Sequence, residues 1–447
     1  MPRTQVILAS TLSGAATVAA ALDAGLLAPA DRRLLLVSNN AAVPETAPAL
    51  DTAPGFAALR DRFGRVLSWN DAIAPLHPSG WSPRPDDAPM WERYLRRLWD
   101  LGEDEVELVV ESLHTDPALA LAGVFPGAPL EVYAGGLMAY GPTPNKLEPL
   151  VTTRVNRVLH LDLVPGLRPL LLSEHGVPAE AVPADALTGV VTRIAEHDEA
   201  AAPLPEGGAL LLGQYLSALD VLTAAEEEEL HVRMVRGAVA AGHRTLVFKP
   251  HPAAPAHWSR LLEQEARTLG AELTVAGGPE LAEALFVRTR PRLVVGCFST
   301  ALFTASALYG LPVARVGTGR VLERLSPYDN GERVPATIAD RLLPDLEGPQ
   351  AVEAWRPPTV ERVEAELVPL LRAVGYCMQH QTYPHLREDA VRYLTGGLDG
   401  GTWRYFRRRR LASLGLPGAV PSHLAFLPAN PAVRRVARRI RHVASRR

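Results

Sequence analysis

Lys249-Pro250-His251-Pro252 presents an ammonium and an imidazole two residues apart on a segment stiffened by two prolines. Each proline fixes its own φ and pushes the residue before it into extended geometry, so both side chains sit on non-helical backbone. A compact cation beside an imidazole suits a phosphate or another anion. Ser299-Thr300 offer two hydroxyls at the start of a second stretch that reads as a helix. A helix N-terminus adds free amides and a positive dipole end, which favour the same kind of ligand. A third stretch, Glu131 to Lys146, contains Gly135-Gly136, where the missing side chains permit a ligand or another backbone to approach closely. Each stretch also has an ordinary structural explanation. The first can be a solvated strand exit, the second a serine N-cap, the third a glycine turn.

The elements that must position these residues favour the functional reading. Arg244 to Phe248 is rich in β-branched and aromatic types and reads as a buried parallel strand running into Lys249. Arg292 to Gly296 reads as another strand, ending just before Ser299, and a helix follows from about Thr300 to Tyr309, closed by Gly310 and Pro312. Ligands of open α/β sheets bind at the carboxyl ends of strands. Both loops leave the same sheet edge and together would form one anion pocket.

The same alternation runs along most of the chain. Strands are expected at Gln5–Ala9, Arg33–Ser38, Arg65–Trp69, Glu105–Val110, Leu130–Tyr133, Ala209–Gly213, Glu272–Val275 and Leu311–Val316. Helices are expected from about Gly14 to Ala24, capped by Thr11 or Ser13, and near Met90–Asp100 and Pro117–Gly123. Others are expected at Glu226–Val239, Ala256–Leu269 and from about Pro279. Glu226 to Glu229, in the first turn of one of them, read as a solvated face. Ala201 to Gly208, punctuated by Pro and Gly, reads as a linker. The expected organisation is an N-terminal α/β domain over 1–203, a second α/β domain over 204–390 and a basic tail over 391–447. Two doubly wound, Rossmann-like domains facing across a cleft account for this pattern.

At 447 residues, 47% hydrophobic and 21% charged, the chain has the composition of a globular protein with ample cores. Its two cysteines, Cys297 and Cys377, exclude a disulfide scaffold and fit a reducing, cytoplasmic setting. Lys146 and Lys249 are the only lysines among 46 basic residues, which marks Lys249 as a position where a compact ammonium is retained. Arg3 and the Ala-rich stretch after it imitate a secretory signal; a strand followed by a helix is the preferred reading. No apolar run is long enough to span a membrane. The net charge of −3 conceals an asymmetry: 401–447 holds twelve arginines and no acid. Within it, Val433, Val436, Ile440 and Val443 repeat at helical spacing, a pattern that suits an anionic membrane surface. Packing of this segment back on the acidic body is the alternative; no motif for reading nucleic acid accompanies the arginines.

With these residues in view, the chain resembles the bacterial sialyltransferases of GT-B fold, most closely the polysialyltransferase-like branch. His251-Pro252 matches the family's His-Pro motif and Ser299-Thr300 its paired Ser-Ser/Thr motif, in the family's order. The resemblance covers most of residues 1–390 and implies a CMP-sialic acid donor and a glycan acceptor. It implies that His251 hydrogen-bonds the donor phosphate and helps CMP leave, with Lys249, Pro252, Ser299 and Thr300 around that phosphate. Gly213 and Gln214, after the second domain's first strand, would meet the nucleotide, and Glu280 the ribose hydroxyls. No metal or other cofactor is implied. One departure stands out. Where the family has two acids before glycine, this chain has Ala134-Gly135-Gly136. The second acid is the family's general base, so the resemblance implies a degenerate enzyme unless another group takes its place. Glu131, three residues before Ala134, falls on the opposite sheet face. CMP-Kdo and CDP-glycerol transferases are alternative enzyme classes, and a nucleotide- or glycan-binding pseudoenzyme is the alternative without turnover.

Overall fold

The computed structural model describes residues 1–197, 202–251, 254–396 and 398–419. Seven parallel strands form the first sheet: β1 (Arg3–Ala9), β2 (Arg32–Val37), β3 (Arg65–Ser68), β4 (Glu105–Glu111), β5 (Leu130–Ala134), β6 (Val155–Leu161) and β7 (Ala179–Val182). Their order is β3-β2-β1-β4-β5-β6-β7. Five parallel strands form the second sheet: β8 (Ala209–Leu212), β9 (Thr245–Lys249), β10 (Glu272–Val275), β11 (Leu293–Gly296) and β12 (Val313–Arg315). Their order is β10-β9-β8-β11-β12. In each sheet the chain starts in the middle, winds one way, then crosses over and winds the other. The reversal lies between β1 and β4 in the first sheet and between β8 and β11 in the second. This is the GT-B-like pair of doubly wound domains expected from the sequence.

The strands read as unbroken apolar runs because helices cover both faces of each sheet. Val6 to Ala9 and Leu108 to Val110 are all within 2% of complete burial. Each such Val, Leu or Ile contributes about 1.5–3 kcal/mol relative to exposure. Helix α1 (Leu12–Asp23) is Ala-rich and capped by the Thr11 hydroxyl, which accepts from the Gly14 amide at 2.9 Å. It packs against α2 (Ala184–Glu196) on one face of the first sheet. The sequence pattern did not reveal β6, β7 or α2. In Val155-Asn-Arg-Val-Leu-His-Leu161 three polar residues interrupt the apolar run, and β7 is a four-residue edge strand carrying Glu180. Flanking the second sheet are α3 (Ala224–Ala240), α4 (Ala256–Thr268), α5 (Ala282–Thr289) and α6 (Thr300–Tyr309).

The C-terminal part departs from the expected partition. After α7 (Arg333–Leu342), helices α8 (Val368–Met378) and α9 (Arg387–Gly396) return towards the first domain. Between them, the Tyr383 hydroxyl accepts from the Thr143 amide at 3.0 Å and donates to the Leu170 carbonyl at 2.8 Å. Residues within 204–390 therefore brace both domains. The first half of the arginine tail is likewise part of the folded body. Tyr405 donates to Asp340 Oδ2 at 2.8 Å, Arg404 pairs with the same carboxylate at 3.2 Å, and Arg410 donates to the Cys377 carbonyl at 2.7 Å. The apolar repeat at Val433–Val443 lies outside the described residues. No helix among those described is long and apolar enough to cross a membrane.

Candidate active site

The loop after β9 is built on an aromatic platform. Trp258 on α4 is buried; Tyr215 meets it edge-on, and the Tyr215 ring lies 5.9 Å from that of His251. His231 of α3 sits beneath, against both Phe248 and Trp258. His251 itself remains exposed at the end of the strand. Although the residue as a whole is exposed, partial desolvation of its ring and then the nearby Lys249 charge hold its pKa below the ordinary imidazole value, while Glu227 acts the other way. Lys249 is half-buried, and its ammonium makes no hydrogen bond or close ion pair with the described residues. Burial lowers its pKa, against the attraction of Glu280 and Glu283. A desolvated cation without a direct partner among the described residues is poised for an anion. Pro252, the last residue of the motif, lies outside the described residues.

Strands β9, β8 and β11 are neighbours, so their exits lie side by side. Gly213 follows β8, and its amide donates to the Lys249 carbonyl at 2.9 Å. A Cβ there would come within 2.9 Å of the Phe248 ring, which is why glycine occupies the position. The Gln214 side-chain oxygen accepts from the Phe298 amide at 3.1 Å. It therefore ties the β8 exit to the β11 exit across the reversal of strand order. Ser299 caps α6, its hydroxyl accepting from the Ala301 amide at 3.3 Å, and the helix runs from Thr300 to Tyr309 as expected. Lys249, His251, Gln214, Ser299 and Thr300 thus share one sheet edge, where a cation, an imidazole and a helix N-terminus favour a phosphate.

Two acidic residues differ from the sequence expectation. Helix α5 begins at Ala282, so Glu280 precedes it, and the buried Glu280 carboxylate accepts from Arg288 at 2.5 Å. The expected solvated face at Glu226–Glu229 needs a larger correction. Glu227 is fully buried and accepts from the Leu216 and Ser217 amides at 2.6 and 2.8 Å and from the Ser217 hydroxyl at 2.6 Å. It fixes the loop that carries Tyr215. Glu226 completes the N-terminal capping box of α3 and pairs with Arg320 and Arg324. A run of four glutamates hides this division of labour, because only the three-dimensional packing shows which of them faces inward.

The glycine turn reaches this edge from the other domain. The Leu137 amide donates to the Thr300 hydroxyl at 3.4 Å, and a Cβ on Gly136 would lie 3.1 Å from the same oxygen. A Cβ on Gly135 would lie 2.9 Å from the Thr17 hydroxyl of α1. The carboxyl ends of the two sheets therefore face each other, with Gly135-Gly136 against the N-terminus of α6. Glu131 is buried and engaged by Arg157 at 2.7 Å and by Asn156 at 3.2 Å. It is unavailable as a base. Sequence reading did not single out Glu111, the last residue of β4, whose carboxylate accepts from the Ser10 hydroxyl at 2.8 Å where the first sheet reverses. Among the described residues no group of three or more His, Cys, Asp or Glu is placed to hold a metal ion.

A family model described as alpha-2,8-polysialyltransferase (POLYST) matches residues 5–318. No curated protein matches the chain in sequence. Among solved structures, it is similar to MurG of Acinetobacter baumannii at 10% identity, covering 87% of this chain and 99% of that one, with a TM-score of 0.40. It is similar to the GT-B domain, residues 113–497, of a sialyltransferase from Photobacterium damselae at 11% identity, covering 75% and 95%, with a TM-score of 0.40. The same holds for Phytolacca americana UGT2 complexed with UDP-2fluoro-glucose and pterostilbene, at 11% identity, covering 93% and 99%, with a TM-score of 0.42.

Proposed function

This chain belongs to the alpha-2,8-polysialyltransferase family, and from that premise we propose that it transfers sialic acid from CMP-sialic acid to a glycan hydroxyl. The observation that carries the reading is the convergence of Lys249, His251 and the Ser299-Thr300 helix start on one sheet edge, facing a second domain. Cleaving the bond from the anomeric carbon to phosphate leaves the electron pair on a phosphate oxygen. Preplaced donors and a cation stabilise that charge as it develops. In this reading Lys249 neutralises the phosphate, His251 donates a hydrogen bond to it and assists CMP departure, and the α6 start with Ser299 and Thr300 holds it in place. Proline at position 252 disfavours helical backbone at the residue before it. Gly213 and Gln214 lie beside the nucleotide, and Glu280 reaches the ribose from its pair with Arg288. The donor is a substrate, and the reading assigns the chain no metal and no other cofactor.

Ala134-Gly135 lacks the acids of the family's motif, which favours a binding protein without turnover as the second reading. One assay separates the two: CMP release from CMP-sialic acid, alone and with sialylated acceptor glycans. Acceptor-dependent release supports the transferase, whereas donor binding with no release at any acceptor concentration rejects it. Thermal-shift screening against CMP-Kdo and CDP-glycerol tests the rival donors, because a ligand at a hundredfold its dissociation constant adds about 2.7 kcal/mol. For the segment beyond residue 419 we propose peripheral contact with anionic lipid. Equal co-sedimentation with anionic vesicles of the full chain and of one ending at residue 419 rejects that contact.

A further inference from the structure

Glu111 occupies the place in the first sheet where a ligand is expected, and no structural need accounts for all of its carboxylate. It ends β4 beside Ser10, the exit of β1, at the reversal of strand order. The carboxyl-end crevice at such a reversal is where doubly wound sheets bind ligands. One oxygen, Oε2, accepts from the Ser10 hydroxyl at 2.8 Å and from the Ser10 amide at 3.3 Å. The other, Oε1, has among the described residues only the Thr11 hydroxyl at 3.4 Å. Room for the group is built in. A Cβ on Gly14, in the first turn of α1, would lie 2.9 Å from Oε1 and 3.0 Å from Oε2. Any side chain at position 14 would displace the carboxylate.

Its relation to the glycine turn is set by register. Glu111 pairs with Tyr133 across β4 and β5, so the two side chains share a sheet face. Gly135, two residues beyond Tyr133, has the same parity, and its missing Cβ would point at Thr17 on that same helix α1. Glu111 thus stands beside one turn of α1 and the vacant side-chain position beside the next. One strand spacing and two residues separate their backbones, roughly 8 Å, and the Glu111 carboxylate lies on the β1 side of β4, against Ser10 and Gly14. On this basis, and resting on the transferase reading above, we propose that Glu111 is the general base that replaces the family's missing acid. Oε1 takes the proton of the acceptor hydroxyl as that oxygen bonds to the anomeric carbon. The bond from that carbon to the phosphate breaks, and its electron pair leaves with CMP.

Asp162 is the competing carboxylate, exposed just after β6. It opens into a cavity of about 580 Å³ whose second-domain wall is formed by Phe303, Ser306 and Leu343. Phe303 and Ser306 belong to α6, so this cavity lies along the flank of the helix whose first residue is Thr300. Glu111 differs from Asp162 in lying at the reversal of strand order, where ligands of doubly wound sheets bind.

The test compares wild type, Glu111→Gln, Gly14→Ala and Asp162→Asn. Three quantities are read: affinity for CMP, CMP release without acceptor, and transfer to short α2,8-linked sialic acid oligomers. General-base loss costs about a hundredfold to ten-thousandfold. Glu111→Gln, which keeps the shape and can still hydrogen-bond to Ser10, is expected to lower transfer at least a hundredfold and abolish the acidic limb of its pH profile. CMP affinity and acceptor-free release should stay within threefold. Gly14→Ala should reproduce the loss and Asp162→Asn should not. Transfer within threefold of wild type in Glu111→Gln overturns the assignment while the transferase reading stands. So does a loss confined to Asp162→Asn. A wild type that neither binds CMP nor transfers overturns both.

Discussion

The Thr300 hydroxyl, at the first residue of α6, accepts the Leu137 amide of the opposite domain at 3.4 Å. One hydrogen bond thus joins the glycine turn of the first sheet to the helix N-terminus assigned to the donor phosphate. Gly136 has extended backbone, with φ of −142° and ψ of 178°, a conformation open to any residue. Glycine is there for proximity: a Cβ would lie 3.1 Å from the Thr300 oxygen and 3.9 Å from its methyl group.

Gly136→Val is therefore expected to act on the gap between domains and not on the turn itself. Transfer should fall by about tenfold to a hundredfold, the range in which small misplacements of reacting groups operate. Gly136→Ala needs a shift of only a few tenths of an ångström and should stay within about threefold. Steady-state transfer rates check both, with thermal unfolding to show that the fold is intact. Unchanged transfer in Gly136→Val would mean that this contact does not set the working distance.

Lys249 offers a test in which stability and binding move apart. Lys249 is half-buried, its ammonium makes no direct hydrogen bond with the described residues, and Glu280 and Glu283 attract it at longer range. Lys249→Met keeps the stem and removes the charge, so it should leave the melting temperature unchanged or raise it. CMP affinity should fall about tenfold or more, the size of one charge-assisted hydrogen bond to phosphate. Calorimetric titration with CMP reads one quantity and thermal unfolding the other. Loss of stability with intact CMP binding would assign Lys249 a structural role.

His251 supplies a pH test with a defined sign. In the free protein its pKa is held below the ordinary imidazole value, by burial first and by Lys249 second. A bound phosphodiester brings negative charge beside it and raises that pKa, so binding takes up a proton. Affinity for an unreactive 3-fluoro analogue of CMP-sialic acid should therefore increase as pH falls from about 8 towards 6. The phosphodiester does not titrate in this window. His251→Gln should bind with a flat profile, and calorimetry in buffers of different ionisation enthalpy should show proton uptake in wild type alone. A flat wild-type profile would exclude His251 from the phosphate.

What the sequence made legible follows from how local each signal is. Lys249-Pro-His251 and the Thr300–Tyr309 helix were readable because prolines, a serine cap and a closing Gly310 fix backbone within a few residues. The Gly310 φ of 64° is the left-handed end that such a cap requires. Strands β6 and β7 were not readable, since Asn156, Arg157 and His160 break the apolar run that marks a buried strand. Glu227 and Glu111 were missed for a different reason. One hides in a run of helix glutamates, the other among Glu105, Glu107 and Glu111 of a single strand. Only the packing of α3 and the pairing of β4 beside β1 show which carboxylate meets a loop or a crevice.

The platform beneath His251 predicts how the protein responds to acid. His231 is buried with neither ring nitrogen hydrogen-bonded among the described residues, and burial pushes its pKa down to about 4. The folded protein therefore holds this ring neutral, while the unfolded chain protonates it near pH 6.5. Between those values the unfolded state binds more protons, so stability is complete above about pH 6.5 and declines as pH falls towards 4. From pH 7 to pH 5 this residue alone should cost about 2 kcal/mol. His231→Leu, similar in volume and free of the titrating ring, should lose less stability over the same interval by about that amount. Urea unfolding of both proteins at pH 7 and pH 5 measures the difference directly. Parallel losses in the two proteins would show that His231 is hydrated or hydrogen-bonded in solution, and that the platform under His251 is looser than its ring contacts imply.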